Sequence, residues 1–140
     1  MSSGIEFVRK GFFMGFSVSV KRTFAASHRI EGYPGLCARL HGHNWTIEAV
    51  FGTTRLNGLG MAVDFHEIER WMDPLLREVD HTHLNEHPFF SDKSTTAENI
   101  ALFFHRGLSA ALAQGQTEGL TLRQVSVWEM EGYRATYEEP

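Results

Sequence analysis

Two segments of this 140-residue chain alternate between apolar and polar side chains, and histidines extend the apolar side of both. Side chains two positions apart point to the same face of an extended strand, so each segment is typical of a half-buried β-strand. In the first segment, residues 16–28, that face carries Phe16, Val18, Val20, Phe24, Ala26 and His28. In the second, residues 41–54, it carries His41, His43, Trp45, Ile47, Ala49 and Phe51. The chain is therefore expected to form a sheet whose buried face ends in imidazoles.

Three imidazoles at the ends of apolar faces predict a metal site. His41 and His43 converge on one point, Gly42 between them lets the backbone come close, and His28 ends the other face. Burying three imidazoles without a shared partner would be costly. Three nitrogen ligands with an open fourth position are typical of catalytic zinc, although nickel, copper or iron can bind the same set.

The chain's only cysteine, Cys37, lies four residues before His41, in a segment at 29–40 whose glycines and proline indicate a loop. A nearby cation or imidazolium would favour its thiolate and make it reactive. The alternative is an inert small hydrophobic residue. Asp80 and His81 are candidates for general acid–base work, because a carboxylate can orient an imidazole; a solvent-exposed loop pair is the alternative.

Glu129 ends the apolar face of a strand predicted at 121–129. A carboxylate there needs a donor partner or a ligand, such as the two adjacent N–H groups of a 2-amino-4-oxo pteridine. Glu131, one pleat further along, is the structural alternative. Thr95 and Thr96 are interpreted mainly as helix caps, although free N–H groups at a helix start can also hold a polar ligand edge.

The other four histidines are given no part in the chemistry. His83 and His87 crowd the segment that holds His81, and we interpret both as structural or surface residues. His66 follows the predicted start of a helix, and His105 is expected to lie off the apolar stripe of the next helix.

Between the strands, the pattern predicts two helices. Asp64 is a predicted N-cap with Glu67 as its capping-box partner. Pro74 should kink or divide this helix near Asp73. The first helix's apolar stripe comprises Phe65, Ile68, Met72, Leu75 and Val79, and that of the second comprises Ile100, Phe104, Gly107, Leu108 and Ala111. The second helix begins near Thr95 or Thr96 and ends near Gly115.

The element order is strand, strand, helix, helix, strand, strand, with the last strand at 133–138. Residues 80–94 are too polar and irregular for a regular element. This order predicts an α+β fold in which two helices cover one face of a four-stranded antiparallel sheet. Because open sheet edges invite pairing with other chains, a homo-oligomer that shares a sheet across subunits is plausible.

Length, net charge and cysteine content limit the classes of protein to which this chain can belong. The length predicts one domain at 14–140, preceded by a loose leader at 1–13. A net charge of −4 gives no reason to expect nucleic acid, and no apolar run is long enough to span a bilayer. One cysteine cannot form an internal disulfide and suits a reducing cytoplasm.

The chain carries six short segments in this order: FAASHRI, CARLHGHNW, GMAVDF, VDHTHLN, STTAENIA and VWEMEG. Together they resemble the 6-pyruvoyltetrahydropterin synthase and 6-carboxytetrahydropterin synthase family, from about residue 16 to the C-terminus. The resemblance implies a tunnelling fold, in which subunits join their sheets into a barrel and two trimers commonly stack into a hexamer. It also implies zinc bound by His28, His41 and His43.

The same resemblance implies roles for the remaining candidates. Cys37 would be the catalytic base, Asp80 and His81 its acid–base partners, and Glu129 the pterin anchor, helped by Thr96 and backbone groups near Ala97. Active sites of this family form between subunits. Some members carry a second hydroxyl where this chain has Ala97, which puts one pterin contact in doubt. Other branches of the family have a glutamate near the cysteine position, and the presence of Cys37 argues against those branches.

Four functions follow as hypotheses. The first is a lyase that converts 7,8-dihydroneopterin triphosphate to 6-carboxytetrahydropterin with release of acetaldehyde and triphosphate, on the route to 7-deazaguanine nucleosides. The second is a 6-pyruvoyltetrahydropterin synthase, which eliminates only triphosphate. A zinc hydrolase that uses a metal-bound water and a non-enzymatic pterin- or metal-binding module are the third and fourth.

Overall fold

The computed structural model describes residues 15–115 and 117–140. The predicted leader at 1–13 lies outside the described residues. Within these residues, five strands and two helices follow one another: β1 Phe16–His28, β2 His41–Thr53, α1 Phe65–Val79, β3 Thr82–His83, α2 Ala97–Gln114, β4 Thr121–Met130 and β5 Tyr133–Tyr137. Short 3-10 turns lie at Leu36–Ala38, Leu84–Glu86 and Pro88–Phe90. The bounds of the four long strands and of α2 agree with the sequence prediction to within one residue.

The sheet has the strand order β3-β1-β2-β4-β5. Neighbouring strands are antiparallel except β1 and β3, which are parallel through Ala26↔Thr82 and Ser27↔His83. The four predicted strands are present and pair antiparallel, but the prediction lacked the fifth strand, β3, which makes the sheet mixed. The segment at 80–94 is therefore not wholly irregular. A strand of two residues is too short to produce an alternating pattern, which is why the sequence did not indicate β3.

Both helices pack on one face of the sheet, as predicted, and their side chains meet those of β1, β2 and β4 in the core. The α+β class is thus confirmed. The fully buried centre of this core includes Trp45, Phe51, Phe104, Ile47, Ile68 and Met72. Neither helix in the part of the chain that the structure describes has the length and apolarity needed to cross a membrane.

Helix α1 departs from the prediction in two ways. It runs unbroken from Phe65 to Val79 with Pro74 inside it. Because Pro74 is exposed, solvent can satisfy the carbonyl of Arg70, which loses its helical partner. Asp64 is the N-cap, and its side chain accepts a hydrogen bond from the His66 backbone N–H. Glu67 does not complete a capping box; it pairs instead with Arg70 at 2.6 Å.

The predicted apolar stripes of the helices also need correction. Phe65 is 55% exposed, whereas Leu76 is buried in its place. His105 does not lie off the buried face of α2: only 4% of it is exposed. Its ring lies 4.7 Å from the ring of Tyr137 on β5, because α2 also covers the last strand of the sheet.

Candidate metal centre

The three predicted histidines meet at one end of the buried face of the sheet. The β1–β2 register pairs His28 with His41 and Ala26 with His43, so all three rings lie on the side of the helices. Ring centroids are 4.5 Å apart for His28 and His41, 4.8 Å for His41 and His43, and 5.4 Å for His28 and His43. One donor atom from each ring and a Glu129 oxygen lie within 4.8 Å of one another.

Backbone carbonyls orient two of these rings. The Nδ1–H of His28 donates to the Thr95 carbonyl at 2.7 Å, and that of His41 donates to the Arg39 carbonyl at 2.7 Å. A carbonyl can only accept, so a proton is on the Nδ1 of each ring, and the Nε2 is the atom left to face the cluster. This is the arrangement in which histidines bind metals.

Two ring nitrogens of the cluster are left without a hydrogen bond among the described residues. Within the described residues, the Nε2 atoms of His28 and His43 are buried and have no hydrogen-bond partner. Burial lowers the pKa of both imidazoles, against the opposing effects of the Thr95 carbonyl on His28 and of Glu129 on both. Neutral rings with unpartnered nitrogens fit a cation, and an all-nitrogen set with an adjacent carboxylate fits zinc.

The floor of the cluster is apolar. The Trp45 ring lies 4.9 Å from that of His28 and 5.2 Å from that of His43. The indole is fixed by its N–H, which donates to the Ala26 carbonyl at 3.2 Å, and by stacking on Phe24. A rigid apolar wall limits the orientations of the imidazoles and excludes water from one side of them.

Glu129 lies closer to the histidines than the sequence indicated. Its Oε1 is 3.5 Å from the His28 Nε2 and 3.7 Å from the His43 Nε2, and its side chain is 24% exposed. The prediction placed it at the end of an apolar face but did not connect that face to the imidazoles. Because β4 pairs with β2 through Val127↔Ile47, Glu129 extends the same buried surface that ends in His43.

Asp80 and His81 form a second group beside the first. Asp80 is the C-cap of α1, and its Oδ1 accepts from the Ala25 N–H at 2.9 Å and lies 3.0 Å from the His81 Nδ1. These contacts, the Ala25 N–H first, lower the pKa of Asp80. The carboxylate therefore stays charged and holds the His81 ring, whose Nε2 is left free. His81 and His43 line the same open cavity of about 600 Å³.

Cys37 and Thr96 are not members of the converging group. Cys37 is half-buried in the 3-10 turn Leu36–Ala38, and its carbonyl accepts from the Ile30 N–H at 2.8 Å. Thr96 is the N-cap of α2, and its hydroxyl accepts from the Asn99 N–H at 3.2 Å. The capping role predicted for Thr96 is confirmed.

The two histidines interpreted as structural have partners elsewhere. The His87 Nε2 lies 2.9 Å from a Glu78 oxygen, and its Nδ1 accepts from the Phe89 N–H at 3.0 Å. The His83 Nδ1 lies 3.0 Å from the Ser27 hydroxyl. Sequence reasoning missed the backbone carbonyls that orient the His28 and His41 rings. Every residue type has a backbone carbonyl, so the sequence does not indicate which one accepts the bond.

Comparison with known proteins gives one consistent result. Residues 17–140 match the family described as PTPS, 6-pyruvoyl tetrahydropterin synthase. A Rickettsia bellii protein named 6-carboxy-5,6,7,8-tetrahydropterin synthase is 30% identical over 110 residues, which are 66% of this chain and 80% of the relative. A protein of Archaeoglobus fulgidus that carries this name provisionally is 33% identical over 115 residues, 81% of this chain and 88% of the relative.

A solved structure has the same fold. The 6-pyruvoyl tetrahydropterin synthase of Caenorhabditis elegans superposes with a TM-score of 0.74 at 24% identity, covering 92% of this chain and all of that one. The likeness drawn from the six sequence segments is thereby confirmed. Since the match begins at residue 17 and includes the whole histidine cluster, the chain belongs to the 6-pyruvoyl tetrahydropterin synthase family.

Proposed function

We propose that this chain is a zinc-dependent lyase that converts 7,8-dihydroneopterin triphosphate and water to 6-carboxy-5,6,7,8-tetrahydropterin, acetaldehyde and triphosphate. The observation that carries the proposal is the convergence of three imidazoles. Backbone carbonyls orient two of them, His28 and His41, and the buried Nε2 atoms of His28 and His43 have no hydrogen-bond partner among the described residues. The choice of product rests on the curated relatives at 30–33% identity, which bear the carboxytetrahydropterin synthase name. The 7-deazaguanine route to queuosine is the pathway that this product would serve.

His28, His41 and His43 would bind the metal, as the resemblance implies. When bound, zinc supplies a Lewis acid that polarises substrate oxygen and stabilises the charge that develops there. Glu129 has the position and the charge to accept two N–H groups of a pterin ring, and the N-terminus of α2 beside Thr96 would support the same ring. This arrangement would put the pterin at the edge of the imidazole cluster.

Proton transfer is assigned to Cys37 and to the Asp80–His81 pair. Cys37 would remove a proton from the substrate side chain, and His81 would return or relay protons. The charged Asp80 holds the His81 Nδ1–H, so the other ring nitrogen, Nε2, would be the atom that exchanges protons. Cys37, Asp80 and His81 all lie outside the group of converging donors. Because active sites of this family form between subunits, we propose that the thiol and the Asp80–His81 pair that act at one cluster come from different chains.

A homo-oligomer fits this arrangement. Both outer strands, β3 and β5, leave a sheet edge to pair with another copy. We propose trimers whose sheets join into a barrel, stacked into hexamers as in the tunnelling fold. We also propose a cytoplasmic location for the protein, where a free Cys37 thiol stays reduced.

The alternative is a 6-pyruvoyltetrahydropterin synthase, which would use the same residues but perform only triphosphate elimination and internal redox. The name of the Caenorhabditis elegans structure is the observation that favours it. At 24% identity that likeness concerns the fold, so the carboxy product remains our first choice.

One incubation separates these functions. The zinc-loaded protein is supplied with dihydroneopterin triphosphate, and the pteridine, triphosphate and acetaldehyde are identified. Release of acetaldehyde with 6-carboxytetrahydropterin supports the proposal, whereas triphosphate with 6-pyruvoyltetrahydropterin and no acetaldehyde supports the alternative. Binding without turnover would refute both and favour a pterin-binding module.

A further inference from the structure

The segment after β3 is attached to the end of β1 by side-chain hydrogen bonds. Asn85 binds both backbone groups of Arg29, the residue after His28: its Oδ1 accepts from the Arg29 N–H at 3.0 Å, and its Nδ2 donates to the Arg29 carbonyl at 2.9 Å. β3 ends at His83, so the Asn85 amide takes over the pairing with β1 where the backbone ladder stops.

A second residue binds the same carbonyl. The Thr95 hydroxyl donates to the Arg29 carbonyl at 3.2 Å and lies 3.5 Å from the Asn85 Oδ1. Thr95, which precedes the N-cap of α2, is fully buried. Its own carbonyl is the acceptor of the His28 Nδ1–H at 2.7 Å.

These contacts form a closed network, which we name the Asn85–Thr95 network: the Asn85 side chain, the Thr95 hydroxyl, the Arg29 backbone and the His28 ring. Three separate segments of the chain meet in it. Without the Thr95 hydroxyl and the Asn85 amide, the bond from the His28 ring itself would be the one described hydrogen bond left between Thr95 and the end of β1. The direction of the His28 Nε2 depends on the Thr95 carbonyl, because it holds the opposite nitrogen of the same ring.

We propose that Asn85 and Thr95 are positioning residues for the metal centre: through Arg29 they fix the carbonyl that selects the Nδ1–H form of His28 and aims its Nε2 into the cluster. This inference rests on the proposed role of His28 as a metal ligand. It assigns no contact with substrate to either residue. Outer partners of ligand histidines typically contribute about 10–100-fold to metal affinity.

The test compares matched variants. Thr95→Val removes the hydroxyl and keeps the shape of the side chain, whereas Thr95→Ser restores the hydroxyl. Asn85→Ala removes the paired amide, and its control is Asn57→Ala. Asn57 likewise uses its side chain to bind backbone N–H groups of a loop, at 2.9 and 3.0 Å, but in the turn before α1.

Two measurements are made on each purified, folded protein. Zinc affinity is measured by competition with a chromophoric chelator. In the metal-free protein, the long-range ¹H–¹⁵N spectrum of the histidines shows which His28 nitrogen carries the proton. We expect Thr95→Val and Asn85→Ala to lose about 10–100-fold in zinc affinity and to show a mixture of His28 tautomers. Thr95→Ser and Asn57→Ala should stay within about threefold of the unmodified chain, with a single Nδ1–H form.

The outcomes separate this inference from the proposed function. Should Thr95→Val bind zinc like the unmodified chain and keep the single tautomer, the inference is wrong while the metal site stands. If the unmodified chain binds no zinc but the tautomer shifts as expected, the network orients His28 and the proposed metal function is wrong. If Asn85→Ala does not fold, the Thr95→Val and Thr95→Ser pair decides.

Discussion

The substitution Glu129→Gln tests whether this carboxylate binds the pterin or the metal. Glutamine keeps the size of the side chain and one acceptor oxygen, but it replaces the second oxygen by an NH₂ group. A pterin that offers two adjacent N–H groups to Glu129 would keep one hydrogen bond and lose the other, together with the charge that strengthened both.

The size of the expected loss follows from this exchange. A hydrogen bond to a charged group contributes about 1.5–3 kcal/mol. The Glu129 side chain is 24% exposed and partly screened by solvent, so the lower half of that range applies. Since each 1.4 kcal/mol is about tenfold in affinity, we expect the dissociation constant for a pterin to rise about 10–50-fold. Zinc content should be unchanged, because three imidazoles remain.

The assay is a direct titration of zinc-loaded protein with a pterin, alongside elemental analysis of each variant. Glu131→Gln is the matched control, because Glu131 lies two residues along and is the structural alternative; it should bind pterin like the unmodified chain. Unchanged pterin affinity in Glu129→Gln would refute the anchor role. Loss of zinc with unchanged pterin binding would instead make Glu129 a fourth metal ligand.

Four further substitutions test the site and the core. His41→Ala should empty the metal centre, since two imidazoles remain, and unchanged zinc by elemental analysis would remove His41 from the ligand set. Cys37→Ala should abolish most lyase turnover at full zinc content; nearly unchanged turnover would favour a hydrolase that uses metal-bound water. Burial lowers the pKa of His105 in the folded chain. Below about pH 6.5 the unfolded chain therefore binds the proton more readily, and the free energy of unfolding decreases as the pH is lowered. His105→Phe should therefore weaken the pH dependence of urea unfolding by up to about 1.4 kcal/mol per pH unit in metal-free protein, and an identical dependence would contradict this. Gly107→Ala places a Cβ 2.5 Å from a Leu75 methyl group. It should lower the free energy of unfolding by about 1–3 kcal/mol. In a double-mutant cycle, Leu75→Ala in the same chain should reduce that loss.

The sequence predicted the convergence of the three histidines because the signal for it is local. The two-residue period of a strand puts His41 and His43 on one face, and the apolar alternation that ends in His28 places it on the buried face too. The long strands and α2 were predicted for the same reason. The position of Glu129 beside the imidazoles depends instead on the pairing of β4 with β2. The alternation of apolar and polar residues within a strand does not indicate which strand will be its neighbour.

Other features were beyond sequence reasoning for physical reasons. β3 is two residues long, and its pairing with β1 is continued by the side chain of Asn85, which resembles any loop asparagine in the sequence. Pro74 is tolerated inside α1 because it lies on the exposed side, and exposure is a property of the packed helix. His105 is polar by type and was expected to lie off the apolar stripe of α2, but β5 covers the face of α2 from which it projects.

The metal centre and the core are set by the same strand register. The pairing that places Phe24 opposite Trp45 also places Ala26 opposite His43 and His28 opposite His41. A slip of one residue would turn the apolar face of β2 to solvent and carry both of its histidines with it. The burial of Trp45, Ile47, Ala49 and Phe51 therefore holds the imidazoles in place, and the cost of a wrong register is the loss of the core itself. Correct folding of the sheet therefore brings the three rings together. The exact orientation of each ring depends in addition on contacts such as those of the Asn85–Thr95 network.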